Sequence, residues 1–258
     1  FTFTASVVTG TGSWNAVADT TANSGPNVWD ATANWVGGVV PISTDDVIIA
    51  DSAINICWNI DQNAVTLASL TIEKTYTGLI GLDYKNFAVR LLANHASSIL
   101  YVYDAEGGVG LGTEEGGETS LLSEISSYGT NSASTLEVGV GVTVTTYFQS
   151  NGTALLKAAA DVTLATIDGG TLTTLGDFGI TTLTVSGGVV NQSNDNIGGV
   201  SVTTLNLNDG TVTTRGNGIA RTITTLNLVK GIFIGNDGIT ITTINEPSGR
   251  YTLTTTAL

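Results

Sequence analysis

The residues of this chain that could do chemistry are few and scattered. The tightest carboxylate group is Asp45-Asp46 with Asp51, flanking the apolar run Val47-Ile48-Ile49. Glycoside hydrolysis uses two acids at a set separation. Neighbouring residues leading into a strand project to opposite faces, so these two side chains diverge, and capping of a turn accounts for them better. Asn194-Asp195-Asn196, Asn208-Asp209-Gly210 and Asn236-Asp237-Gly238 resemble calcium turns rich in oxygen ligands. They lack the full glycine-rich nonapeptide pattern, and Asn-Asp-Gly is equally a good tight turn. Glu106, Glu114, Glu115 and Glu118 fall in the Gly/Glu-rich stretch 104–120, which reads as a solvated loop.

His95 is the only histidine and Cys57 the only cysteine. One histidine builds neither a triad nor a zinc centre, and one cysteine forms no internal disulfide. Cys57 lies in the apolar run 54–60 and reads as a small buried hydrophobe. No Gly-x-Ser-x-Gly elbow, phosphate loop or dinucleotide fingerprint is present. The expectation is a protein without catalytic residues, cofactor or metal. Threonine pairs recur down the chain, as in ice-binding solenoids, but uneven spacing argues against a strict lattice.

The elements that would position these groups are read from an internal repeat. The phrase Leu183-Thr-Val-Ser-Gly-Gly-Val-Val returns as Leu205-Asn-Leu-Asn-Asp-Gly-Thr-Val and as Leu226-Asn-Leu-Val-Lys-Gly-Ile-Phe. A degenerate copy begins at Ala165 and a partial one at Thr242. The aligned glycines are Gly170, Gly188, Gly210 and Gly231, at spacings of 18, 22 and 21. Each copy has period-two alternation, a turn rich in Gly, Asn and Asp, and a second alternation. Period two means strands, and strand, turn, strand repeated every ~20 residues is the mark of a solenoid. Threonine enrichment suits strands, because β-branched side chains fit the pleated surface. The fold expected is therefore all-β: a right-handed parallel β-helix with coils of about 18–22 residues. Only Ala154 to Ala160 has helical composition, and it is too short to be stable alone.

The first half is less regular. Trp14, Trp29 and Trp35 lie within residues 1–50, with Trp58 soon after. That opening is expected to cap or dock one end of the solenoid, with residues 51–258 forming the β-helix, since an uncapped coil exposes core and strand edges. The candidate cap and docking residues are Trp14, Trp29, Asn34, Trp35 and Pro41. They comprise aromatic plugs, a Gly37-Gly38 turn beside them and a rigid proline corner.

Composition narrows the function. Charged residues make up only 12% and hydrophobic residues 41%, against a usual charged share of about 25%. A surface of Thr, Ser, Asn and Gly suits permanent packing against other subunits. The 22 acids against 8 bases, net −14, disfavour nucleic acid and anionic membranes as partners, and no apolar run reaches the ~18 residues of a spanning helix. The chain starts Phe1-Thr2-Phe3-Thr4 and has no methionine, so an initiator methionine is expected to be removed or to lie outside it. No signal peptide is read at the start.

Trp29, Asn34, Trp35, Gly38 and Pro41, followed by Asp45-Asp46-Val-Ile-Ile49, together resemble the opening of β-helical proteins encoded among tailed-phage and prophage structural genes. Leu70-Thr-Ile-Glu with Gly78 and Gly81 extends the likeness, which covers about residues 29–82. Similar openings occur in bacterial surface solenoids of the autotransporter type. The phage resemblance implies a non-enzymatic virion protein decorating the head, a homo-oligomer with a trimer favoured, seated on the major capsid protein. The alternatives are a tailspike-type polysaccharide-binding or depolymerase protein, and an extracellular or cell-surface adhesin.

Overall fold

The computed structural model describes residues 2–6, 28–54, 56, 61–62, 67, 69–73, 75–78, 92–93, 95–103, 108–111, 120–128, 135–138, 142–156, 161–176, 178–192, 200–214, 221–235 and 238–246. Nearly all of this is parallel β-structure, with a single 3₁₀ turn at Thr32–Asn34. An 11-stranded sheet runs from Thr2–Ser6 through Asp46–Ala50 and onward to Ile239–Asn245. A 7-stranded sheet runs from Gly108–Leu111 to Ile232–Ile234, and Asp61–Gln62 pairs with Leu92–Ala93. From residue 95 on, successive strands alternate between the two large sheets, so each coil contributes one rung to each. This is a β-solenoid.

The repeat phrases stack as their spacing predicts. Leu183 lies beside Leu205 and Leu205 beside Leu226 in the ladder of the 11-stranded sheet. Below them the same column continues through Ala165, Tyr147 and Ile125. These six side chains are at most 1% exposed. A second column, Ile167, Val185 and Leu207, sits two residues further along each strand. Leu172, Val190, Val212 and Phe233 face them from the other sheet. Each such aliphatic contributes about 1.5–3 kcal/mol by leaving water.

Alternation is broken once in each of the later long strands. Val202 and Leu205 both point inward, with Thr203-Thr204 between them facing out, and Ile180 with Leu183 and Ile223 with Leu226 do the same. The two-residue step lets one long strand bend around the core, as a bulge does. The threonine pairs therefore mark a corner of the coil.

The glycine column is a second ladder. Gly152, Gly170, Gly188 and Gly210 carry φ of 75°, 76°, 71° and 83°. Their carbonyls accept the N–H of Thr171, Val189, Thr211 and Ile232 in the next coil, at 2.8–3.0 Å. A Cβ on Gly188 would sit 2.5 Å from the Gly170 carbonyl oxygen. The turn thus demands glycine twice, for its backbone angle and for the close approach of the coil beneath.

The uneven spacing of 18, 22 and 21 resides in one connector. Between the 7-stranded sheet and the next long strand, residues 175–178, 193–200 and 215–220 supply the difference, while both ladders stay in register. Of the segment 154–160, whose composition is helical, residues 154–156 are described. Thr153–Leu156 is a strand paired on both sides, with Thr135–Val138 and Thr171–Thr174. Two ladders and an inward Ala154 and Leu156 override helical propensity.

Candidate docking site

The tryptophan segment folds as a compact brace against the first rungs. Ala31 O accepts from Asn34 N at 2.9 Å, and Trp35 O accepts from Gly38 N at 2.9 Å, closing two tight turns in succession. Within them Trp29 and Trp35 meet edge to face, with ring centroids 4.8 Å apart at 72°. Trp35 Nε1 donates to Trp29 O at 2.7 Å, and Asn34 Nδ2 donates to Val28 O at 2.8 Å. Trp29, Asn34, Trp35 and Pro41 are all buried, and both tryptophans belong to the continuous core that contains Val47 and Leu70. Trp14 lies outside the described residues, as do Cys57 and Trp58.

Of the five sequence candidates, four thus lie together, but inside. What the segment shows to solvent is a different set: Val36, Val39 and Ile42, exposed to 50%, 50% and 63%. They ride on a Gly37-Gly38 turn with φ of 90° and 69° and open space around both Cα atoms. Sequence reasoning passed over them because isolated valines and isoleucines in a strand-rich chain read as core. The signal available was their position beside Gly-Gly and Pro41, where no period-two pattern holds.

Asp45 and Asp46 point to different partners. Asp45 Oδ2 accepts the Ile42 N–H at 2.9 Å, and Asp46 Oδ1 accepts the Ser69 hydroxyl at 2.6 Å in the next rung. The first closes the docking loop and the second ties it to the sheet. Asp51 adopts φ 53° and its N–H donates to Thr75 Oγ1 at 3.0 Å, again a corner. Among the described residues no three His, Cys, Asp or Glu side chains gather as a metal site. Asp209 is engaged by Lys230 Nζ at 2.6 Å and by the Gly210 N–H at 2.8 Å, and Lys230 above all holds its carboxyl below the usual range. Asn194, Asp195, Asn196, Asn236, Asp237 and Glu106, Glu114, Glu115 and Glu118 lie outside the described residues. His95 opens the strand His95–Tyr103.

Two buried polar features escaped the sequence reading. Tyr147 donates its hydroxyl to Gln149 Oε1 at 2.8 Å, and Gln149 Nε2 donates to the carbonyls of Gly152 and Thr171 at 3.2 Å each. Burial pushes the Tyr147 phenol far above the ordinary tyrosine range. Arg221 is 4% exposed and its Nη1 donates to Gln192 O at 3.0 Å. Burial lowers its pKa. Its place is one where preceding coils carry Phe178 and Val200, so a charge in an apolar column was the legible sign.

No protein-family model, no curated protein and no solved structure matches this chain.

Proposed function

We propose that this chain is a structural, non-enzymatic solenoid that decorates an assembled shell, in the manner of a capsid decoration protein of a tailed phage. The observation that carries the reading is the exposed trio Val36, Val39 and Ile42 on a loop braced from within by Trp29, Asn34, Trp35 and Pro41. Apolar side chains held out on a rigid base are suited to burial against a partner. The resemblance of residues 29–82 to phage head proteins supplies the partner, the major capsid protein, with the solenoid arranged as a homotrimer on the virion surface. Net acidity keeps such a coat soluble and self-repelling, and the low share of charge suits lateral packing. The divergent engagements of Asp45 and Asp46 favour this over a depolymerase that would use these two acids, because they are held to different partners and do not face each other across a scissile bond.

The test is add-back. Particles lacking the protein are mixed with the purified chain and sedimented. The chain is expected to pellet at many copies per particle. The combined replacement Val36→Ser, Val39→Ser and Ile42→Ser is expected to lower occupancy about tenfold or more, as loss of buried apolar area requires, without moving the thermal midpoint. A wild-type chain that stays in the supernatant, or a triple variant that pellets like wild type, would overturn the proposal.

A further inference from the structure

The uneven repeat length speaks against a regular surface, yet the long sheet presents one. Its strands bend at the threonine pairs, and the first member of each pair lies on the arm that leads into the bend. The register sets Thr145, Thr163, Thr181, Thr203, Thr224 and Thr242 in a single column, one on each of six consecutive rungs. All six are exposed. Two residues earlier on each strand runs a parallel column. It holds Thr143 at one end and Ser201, Thr222 and Thr240 at the other, and these are exposed as well. Between the two columns Val162, Ile180, Val202 and Ile223 point inward and are at most 1% exposed, so the array lies on a packed base.

Three properties set this arm apart. It is regular, because the differences in repeat length fall in the connectors 175–178, 193–200 and 215–220 and leave the ladder in register. Successive rungs therefore keep a step of ~4.8 Å, and the two columns stand about 6.7 Å apart along each strand. It is nearly free of charge. Within the two columns over these six rungs Asp161 is the one charged side chain, and its Oδ1 accepts the Gly179 N–H at 2.8 Å. Its hydroxyls are also uncommitted: no hydrogen bond joins them to one another or to other described side chains. On the far arm, by contrast, Asn206, Asn227 and Asn245 are tied rung to rung.

We infer that this threonine array binds the surface of ice. Ice presents a neutral lattice of water oxygens whose repeats lie close to both spacings of the array. A threonine hydroxyl donates and accepts, so each can hold a water in a lattice position, while the methyl beside it covers the space between waters. β-Branched side chains have few rotamers, and a ladder that already orders them loses little freedom when it meets a lattice. Many weak contacts at one fixed repeat then add. A crystalline polysaccharide would be met by aromatic rings, and neither column has one. A polyanion, or a second copy of a chain with net charge −14, is repelled. The array is separate from the docking loop, and its role does not depend on what that loop binds.

The experiment measures thermal hysteresis of the full chain, the gap between melting and freezing of a single ice crystal, and its partition into slowly grown ice. A measurable gap, faceted crystals and enrichment of the chain in the ice fraction are expected. The double variant Thr203→Tyr, Thr224→Tyr raises bulk on two adjacent rungs with a residue that suits strands, and it should abolish both effects. Thr213→Tyr, on the outer side of the 7-stranded sheet, should leave them unchanged. Circular dichroism and the thermal midpoint report that the variants are folded, and Thr181→Tyr takes the place of the double variant if that one does not fold. The inference is overturned if the wild-type chain shows neither hysteresis nor enrichment, if a folded array variant keeps both, or if Thr213→Tyr removes them equally.

Discussion

Single residues in this protein carry demands that differ sharply with position. Gly188 and Gly37 both have positive φ, 71° and 90°. Only Gly188 has a carbonyl where a Cβ would go. Gly37→Ala should cost about 1–2 kcal/mol, the left-handed penalty alone. Gly188→Ala adds a clash with the coil beneath and should cost visibly more, about 2–4 kcal/mol. Equal losses in chemical denaturation would refute the close-approach argument. Tyr147 makes a pH-dependent claim. Its folded pKa is raised by burial, so its contribution is complete below the unfolded value of about 10 and is lost as pH rises past it. Tyr147→Phe should flatten that alkaline fall. At neutral pH it should destabilise by about 1–3 kcal/mol, because Gln149 Oε1 loses its buried donor. A variant as stable as wild type at pH 7, with the alkaline slope intact, would contradict both halves.

At the scale of elements, the coil divides into parts that fix register and parts that absorb length. Inserting one residue within Ser201–Leu207 moves Leu205 or Leu207 to the solvent face and should abolish cooperative unfolding. Inserting two or three residues between Gln192 and Val200 should cost well under 1 kcal/mol, since loop closure grows only slowly with length. Comparable melting of the two insertions would show that added length at this point disturbs the ladders as much as added length within a strand. This division explains what the sequence could reveal. The columns through Leu183, Leu205 and Leu226 and the glycine turns were legible, because stacking forces the same residue type at the same place in each coil. The Thr203-Thr204 corner was not, since two outward residues in a row look like a lapse in alternation. The strand Thr153–Leu156 was obscured because alanine and leucine suit helices, and only its neighbours in both ladders decide otherwise.

For the whole molecule, the docking segment illustrates a different limit. Trp29, Asn34, Trp35 and Pro41 were recognisable as a unit, yet their types could not tell whether they face a partner or the core. The structure turns them inward and leaves Val36, Val39 and Ile42 outside. Tyr128 and Phe148, whose ring centroids lie 5.3 Å apart, were equally silent, because their juxtaposition exists only once the coils are in register. Sequence neighbours are thus a poor guide to surface chemistry here, whereas ladder neighbours are a good one.

On the outer face of the last rungs, Asn245 Nδ2 donates to Asn227 Oδ1 at 2.8 Å, Asn227 Nδ2 donates to Asn206 Oδ1 at 2.7 Å, and Asn206 Nδ2 donates to Thr184 Oγ1 at 3.2 Å. Every amide hands its hydrogen to the rung before it, so the dipoles of the row add and none opposes its neighbour. A newly laid rung therefore finds an oriented acceptor waiting on the one already formed. Growth from either end meets an oriented partner: a carbonyl oxygen where a later coil is added and an amide N–H where an earlier one is.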